Sequence, residues 1–176
     1  VNTYAQDVEF TEKQGDSINV KLDSILILGI GSTPTRIFLD DLSSKLVKEF
    51  SNRRINVTYF FLGKDVDEAK REFTKINKTG YKAYLWFLPR GSALFDTETY
   101  ITPGFNPTSG ANTGYTKRSE LRYQQSFDFQ LYKTDKGNER FWNANVDIDC
   151  VPGKKRTVND LADKLLTAFT KNNYLQ

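Results

Sequence analysis

The 176-residue chain contains no histidine, no methionine and a single cysteine, Cys150. Without histidine it cannot build a Ser-His-Asp or Cys-His catalytic site. Metal sites that depend on imidazole are excluded for the same reason, and one cysteine cannot form a thiolate cluster or an intramolecular disulfide. Acid–base chemistry would therefore depend on carboxylates, lysine or tyrosine, and the sequence predicts neither a cofactor nor a metal site.

Charge is nearly balanced, with 25 basic and 22 acidic residues. Neither half of the chain forms a basic arm, so the charge pattern does not indicate a nucleic-acid partner. The sequence lacks a long uncharged apolar run, and we therefore predict no membrane span. Because the chain begins at Val1 and lacks methionine, we expect a mature or trimmed protein from which a signal segment has been removed.

Aromatic residues are plentiful, with two Trp, nine Tyr and thirteen Phe, enough to build the core of one domain. Residues 1–24 are polar, although alternating Ile18, Val20 and Leu22 indicate an edge strand, with Val8 and Phe10 as its weak partner. Residues 25–176 are predicted to form a single α/β domain.

Two helices and three strands are predicted in alternation from Ile25 to Leu88. The continuous apolar run Ile25–Ile30 is typical of a strand covered on both faces. Apolar residues at helical spacing predict helices over residues 35–51 and from Asp65, which caps the second helix, to Gly80. Strands are predicted at residues 55–62 and 81–88. Right-handed crossovers would make this a parallel βαβαβ unit with helices on both faces, a three-layer arrangement.

The second half of the domain is predicted to begin with a long loop at residues 89–119, which contains three prolines and four glycines. Part of it, around residues 94–102, is a candidate strand. An antiparallel hairpin follows at residues 120–134 and 139–151, with a turn at residues 135–138. A closing helix is predicted from about Thr157 to Asn172, which completes a mixed sheet.

A ligand crevice is one candidate site, because ligands in open α/β sheets favour the carboxyl ends of parallel strands. The candidate ligand-binding residues lie after the first strand and after the third: Ser32, Thr33, Thr35, Arg36 and Arg90. The turn matches neither GxGxxG nor GxxxxGK[ST]. The favoured interpretation is therefore a tight turn with a Ser/Thr helix cap.

The long loop is the second candidate site, because Tyr100, Phe105 and Tyr115 are spaced along it. Aromatic residues among Gly, Pro, Ser and Thr are typical of a recognition surface, and they are equally typical of anchors that hold a loop onto a sheet. Both interpretations stay open.

Three further features favour a structural interpretation. The alternating Asn143, Asn145, Asp147 and Asp149 predict a solvated sheet face rather than a calcium site, because side chains two apart on a strand are widely separated. Residues 154–156 (Lys-Lys-Arg) predict an exposed turn before a helix. Cys150 falls in the inward register and is predicted to be a buried, inert thiol.

Several segments resemble a family of uncharacterised bacterial envelope lipoproteins with an α/β domain. These segments are ILILGIGS at residues 25–32, TRIFLDD at 35–41, RINV at 54–57, FDFQLY at 127–132, FWNA at 141–144 and NNYL at 172–175. A Tyr/Pro/Gly-rich stretch between Thr99 and Tyr115 also recurs in that family. The family's acidic pair appears here as Asp40-Asp41, and its lipid-attachment cysteine has no counterpart. The layout is more distantly similar to the N-terminal domain of the Tol-system propeller protein.

The resemblance implies a non-enzymatic protein of the periplasm or outer membrane that binds an envelope protein or a cell-wall component. It also implies a lipid anchor on a removed N-terminal segment. Two other functions stay open. One is a small-ligand or phosphate-binding domain, or a carboxylate-dependent hydrolase, that uses the predicted crevice. The other is an adhesin-like module that binds glycans through the loop aromatics.

Overall fold

The structure, a computed structural model, describes residues 7–15, 21–105, 112–135 and 139–175. Within these residues a mixed sheet of six strands packs against three helices, which confirms the predicted α/β class. No helix in the described part of the chain combines the length and the apolar character needed to cross a bilayer.

The chain alternates strands and helices in its first half and is mostly strand in its second. In order, the elements are β1 (Asp7–Gly15), β2 (Ser24–Gly29), α1 (Thr33–Asn52), β3 (Asn56–Phe61), α2 (Val66–Lys75), β4 (Ala83–Phe105), β5 (Asn112–Lys133), β6 (Arg140–Cys150) and α3 (Lys155–Lys171). The strand order is β1-β6-β5-β4-β2-β3. Strand β2 pairs in parallel with β3 and β4, and the remaining pairs are antiparallel. This topology confirms the βαβαβ unit, the β5–β6 hairpin and the C-terminal helix.

Strand β2 lies in the centre of the parallel unit and is buried along its whole length. Its alternate side chains enter two separate cores, with Ile25 and Ile27 on one face and Leu26 and Leu28 on the other. We call the first the helical face, because α1 and α3 cover it, and the second the open face. Burial on both faces explains why this strand is a continuous apolar run.

The helical face holds most of the core. Phe87 of β4 packs against Phe129 of β5 with tilted rings whose centroids lie 4.2 Å apart, and Phe127 stacks on Phe38 of α1 with ring centroids 5.9 Å apart. Phe169 of α3 packs edge-on against Trp142 at 5.0 Å. Complete burial of each such side chain stabilises the fold by roughly 1.5–3 kcal/mol, which makes this face the main source of stability.

The open face is covered only where α2 crosses it. Phe73 of α2 packs against Tyr84 and Trp86, and the predicted cap is confirmed because the Glu68 N–H donates to the Asp65 carboxylate at 2.8 Å. Beyond α2 this face is polar. Asn143, Asn145, Asp147 and Asp149 lie on it with partial or full exposure, which confirms the predicted solvated face.

Strand β1 forms one edge of the sheet. Val8 and Phe10 pair with Ile148 and Val146 of β6, and the Trp142 indole N–H donates to Glu12 at 2.9 Å. The strand predicted around Ile18 and Val20 lies outside the described residues.

The predicted long loop at residues 89–119 is wrong. Strand β4 continues to Phe105 and β5 begins at Asn112, so most of this region is antiparallel β-structure, including the candidate strand at 94–102. A register shift between Arg90 and Leu94 accommodates Gly91, whose φ is 68°. The last residue pair between β2 and β4 is Gly29 with Phe87. Pro89 lies beyond this pair, so its lack of a backbone N–H breaks no hydrogen bond to β2.

Candidate functional site

Side chains at the start of α1 bond to one another. Ser32 is the residue before the first turn, and its Oγ lies 3.0 Å from the Oγ1 of Thr35. Thr35 is buried, and its Oγ1 accepts a hydrogen bond of 3.1 Å from the hydroxyl of Tyr123 on β5. Burial raises the pKa of Tyr123 to about 12, so it stays a donor at neutral pH. These hydroxyls tie α1 to the sheet.

Thr33 and Arg36 line an open hollow of about 430 Å³ between the start of α1 and the β3–α2 connection. The Arg36 guanidinium lies 3.6 Å from the Asp40 carboxylate and 5.2 Å above the Phe61 ring. Lys64, Glu68 and Glu72 also line this hollow, so the two cations, Arg36 and Lys64, are balanced by two carboxylates. The arrangement does not favour an anion.

Arg90 lies in a different place. It lines a polar hollow of about 380 Å³ on the open face, together with Ser126, Asp147 and Asp149. Its Nη2 is 3.6 Å from the Asp147 carboxylate. The structure therefore brings Thr33 and Arg36 together but places Arg90 in a separate hollow, so the five predicted residues do not share one crevice.

Tyr100, Phe105 and Tyr115 lie on strands rather than in a loop. Tyr100 pairs with Arg118, Phe105 with Asn112 and Pro103 with Tyr115 along the β4–β5 ladder. Their side chains lie outside what the structure describes.

The β4–β5 pair extends beyond the rest of the sheet. Pairing between β2 and β4 ends at Gly29 with Phe87, and β6 pairs with β5 only from Tyr123 onward. We call residues 95–105 and 112–122 the ribbon. At about 3.3 Å per residue the ribbon is roughly 35 Å long. Within the described residues, no third strand pairs with it on either side.

An apolar hollow of about 210 Å³ lies on the helical face where the ribbon leaves the sheet. We call it the ribbon-base hollow. It is lined by the first turns of α1 and α3, by the base of the ribbon and by the β6–α3 turn: Pro34, Ile37, Phe38, Asp41, Phe95, Leu121, Tyr123, Cys150, Val151, Pro152, Gly153, Lys154 and Val158.

The floor and the rim of this hollow differ in exposure. Phe38, Tyr123 and Cys150 are buried. On the rim, Ile37 is 56% exposed, and Phe95 and Leu121 are each 47% exposed. Large apolar side chains that stay in water around a concave apolar surface are typical of an interaction site.

Sequence reasoning missed the ribbon-base hollow, because its walls come from four segments far apart in the chain. The adjacent apolar pair Leu94 and Phe95, followed by a polar stretch, is its local signal. Cys150 is buried as predicted, and burial raises its pKa to about 11. Residues 154–156 are exposed at the start of α3, also as predicted.

Among the described residues, no group of three Asp, Glu or Cys side chains is placed to hold a metal ion.

No protein-family model and no curated protein sequence matches this chain. Among solved structures it is similar to a PelC dodecamer from Paraburkholderia phytofirmans, with a TM-score of 0.47, 10% identity and coverage of 97% of this chain and 100% of that one. A variant PelC dodecamer from the same organism has a TM-score of 0.45 and 10% identity, with coverage of 93% of this chain and 96% of that one. A PDZ domain protein from Parabacteroides distasonis ATCC 8503 has a TM-score of 0.42 and 10% identity, with coverage of 97% of this chain and 37% of that one. At these values the likeness carries no argument about function.

Proposed function

We propose that this protein is a non-catalytic component of the bacterial envelope that binds a partner protein through the ribbon. The envelope location rests on the family resemblance of the sequence. The observation that carries the binding role is the ribbon, because both of its edges lack a neighbouring strand within the described residues. Such edges present backbone N–H and C=O groups to which an extended segment adds as a further strand.

The exposed apolar rim at the base of the ribbon gives independent support. Ile37, Phe95 and Leu121 would lose their contact with water when a partner covers them. Because these side chains are already about half buried, covering each one contributes roughly 0.7–1.5 kcal/mol before the costs of association. A partner that adds to the ribbon and covers this rim would combine backbone hydrogen bonds with apolar contact.

Ligand or phosphate binding at the start of α1 has less support. The hydroxyls of Ser32 and Thr35 contact each other, and Thr35 also accepts from Tyr123. In the hollow that Arg36 lines, Glu68 and Glu72 balance the positive charge of Arg36 and Lys64, which leaves no net attraction for an anion.

A shortened ribbon tests the proposal. Thr97 pairs with Leu121, so replacing residues 98–120 with Asn-Gly closes the hairpin at that pair and retains Phe95 and Leu121. We expect the intact protein, cross-linked in envelopes of its native organism, to capture a specific partner protein that the shortened variant does not capture. In the matched control, Asn-Gly replaces only residues 106–111, the paired strands are kept and the partner stays bound. Equal capture by the shortened variant would contradict the proposal.

A further inference from the structure

We infer that the ribbon-base hollow receives one large apolar side chain of the partner protein, from a segment that carries a carboxylate beside it. This inference rests on the proposed function and names the chemistry of the partner.

The size of the hollow sets the size of the group that enters it. Pockets for drug-sized ligands enclose about 300–1,000 Å³, whereas this hollow encloses about 210 Å³. It therefore accepts a fragment of the size of one Leu, Phe or Trp side chain. A long acyl chain would leave most of its length in water, which favours a protein segment over a lipid.

The rim has the arrangement of an anchor site. Ile37, Phe95 and Leu121 surround the opening, while Phe38 and Tyr123 close its floor. The Phe95 and Tyr123 rings lie 5.6 Å apart, and the Phe38 and Tyr123 rings lie 6.1 Å apart. Interfaces concentrate binding energy where one side chain fills such a pocket and neighbouring contacts exclude water.

The electrostatics of the opening determine the charge beside the anchor. Helices α1 and α3 both begin at the hollow, and neither has an acidic residue in its first turn. The N-terminus of a helix carries partial positive charge. Lys154, Lys155 and Arg156 add three exposed cations at the start of α3.

Two carboxylates near the opening indicate which side the partner's acidic group occupies. Asp41 lines the hollow on the α1 side, and Glu120 lies 3.1 Å from the Nζ of Lys154. The Lys154–Glu120 pair is exposed, and such pairs contribute little stability. A carboxylate on the partner therefore lies toward α3, where it competes with Glu120 for Lys154.

Three blocked tetrapeptides test this chemistry on the full chain by NMR titration of backbone amides. They carry Trp next to Asp, Trp next to Lys, and Ala next to Asp. We expect the Trp-Asp peptide to shift the amides of Ile37, Leu121 and Val158, with affinity at least about tenfold above the other two. No localised shifts, or equal binding of all three peptides, would overturn the inference. Tighter binding of octanoate to the same residues would also overturn it, because the occupant would then be an acyl chain.

Two kinds of variant assign any binding to the hollow. Val158→Phe fills the hollow from α3, and Leu121→Ser removes an exposed rim side chain with little effect on the core. Each should weaken the Trp-Asp peptide about tenfold. Leu94→Ser is the matched control, because Leu94 is 62% exposed and lines the polar hollow on the open face instead. Unchanged affinity in both hollow variants, or an equal loss in the control, contradicts the assignment.

The same variants separate this inference from the proposed function. If the ribbon-shortened protein loses its envelope partner while Val158→Phe and Leu121→Ser retain it, partner binding stands and the anchor site is wrong. If the shortened protein retains the partner, the ribbon proposal itself fails.

Discussion

The hydrogen bond between Tyr123 and Thr35 should act as a structural junction whose partners contribute non-additively to stability. Tyr123→Phe removes the 3.1 Å bond but leaves Thr35 near Ser32, so it should lower the free energy of unfolding by about 1 kcal/mol. Thr35→Val leaves the buried Tyr123 hydroxyl without that acceptor, and it should cost about 1–3 kcal/mol. The double variant has no orphaned hydroxyl. Its cost should therefore be about 1 kcal/mol less than the sum of the single costs.

Urea denaturation followed by circular dichroism measures all four proteins, provided that the slope of free energy against urea is unchanged. The control cycle combines Thr35→Val with Tyr81→Phe, because the Tyr81 hydroxyl donates to Thr58 at a separate site. Those two costs should add to within about 0.5 kcal/mol. If the costs of the Tyr123 and Thr35 changes were additive, the reasoning would be refuted. The Thr35 hydroxyl would then not be committed to Tyr123 and could bind a ligand.

Two further predictions concern the edge strand and alkaline pH. Glu12→Ala removes an acceptor for the Trp142 indole and the Asn172 amide. Hydrogen exchange should then show that β1 opens more readily, with its opening free energy lowered by about 2 kcal/mol. Unchanged exchange in β1 would contradict this. Burial raises the pKa of the Cys150 thiol from 9.0 to about 11, so the unfolded chain releases that proton first and stability should fall between pH 9 and 11. In urea denaturation, the free energy of unfolding of Cys150→Ala should fall less steeply with pH across this interval than that of the unmodified protein. An equally steep fall in both proteins would show that the thiol does not contribute.

The parallel half of the fold was predictable because its signals are local. The run Ile25–Ile30 indicated a strand buried on both faces, and the structure buries β2 completely. Asp65 and Glu68 marked the start of α2, and the cap between them is present. Packing on both sides of one strand leaves a strong signature in the sequence, and it does not depend on distant partners.

The sequence indicates only part of the ribbon, the candidate strand around residues 94–102, because the glycines and prolines of residues 89–119 favour a loop. Thr97, Thr99, Ile101 and Thr102 favour a strand through their β-branched side chains. Gly91 and Pro103 instead coincide with register shifts in the β4–β5 ladder, where an extended pair tolerates them. A proline breaks a central strand, but it is accommodated where the strand has no neighbour on one side.

The predicted crevice does not form, because the structure places its residues in two separate hollows. After Phe87 the β4 strand has no β2 partner, and it continues along β5 instead of turning back over the sheet. Arg90 is therefore held against Asp147 of β6 on the open face, away from the start of α1. Sequence order places Arg90 after a strand, but only the pairing of that strand decides which hollow it enters.

The length of the ribbon connects the fold to the proposed role. A two-stranded hairpin in water is marginally stable on its own. Among the side chains that the structure describes, the ribbon contacts the core at its base, where Phe95 packs on Tyr123. Residues beyond Thr97 gain no further strand from the described part of this chain. Added backbone hydrogen bonds from a partner strand would stabilise this segment most, since it has the least support of its own. Partner binding and ribbon stability are therefore expected to be coupled, with the greatest gain in hydrogen-exchange protection along β4 and β5 beyond the pair Thr97 and Leu121.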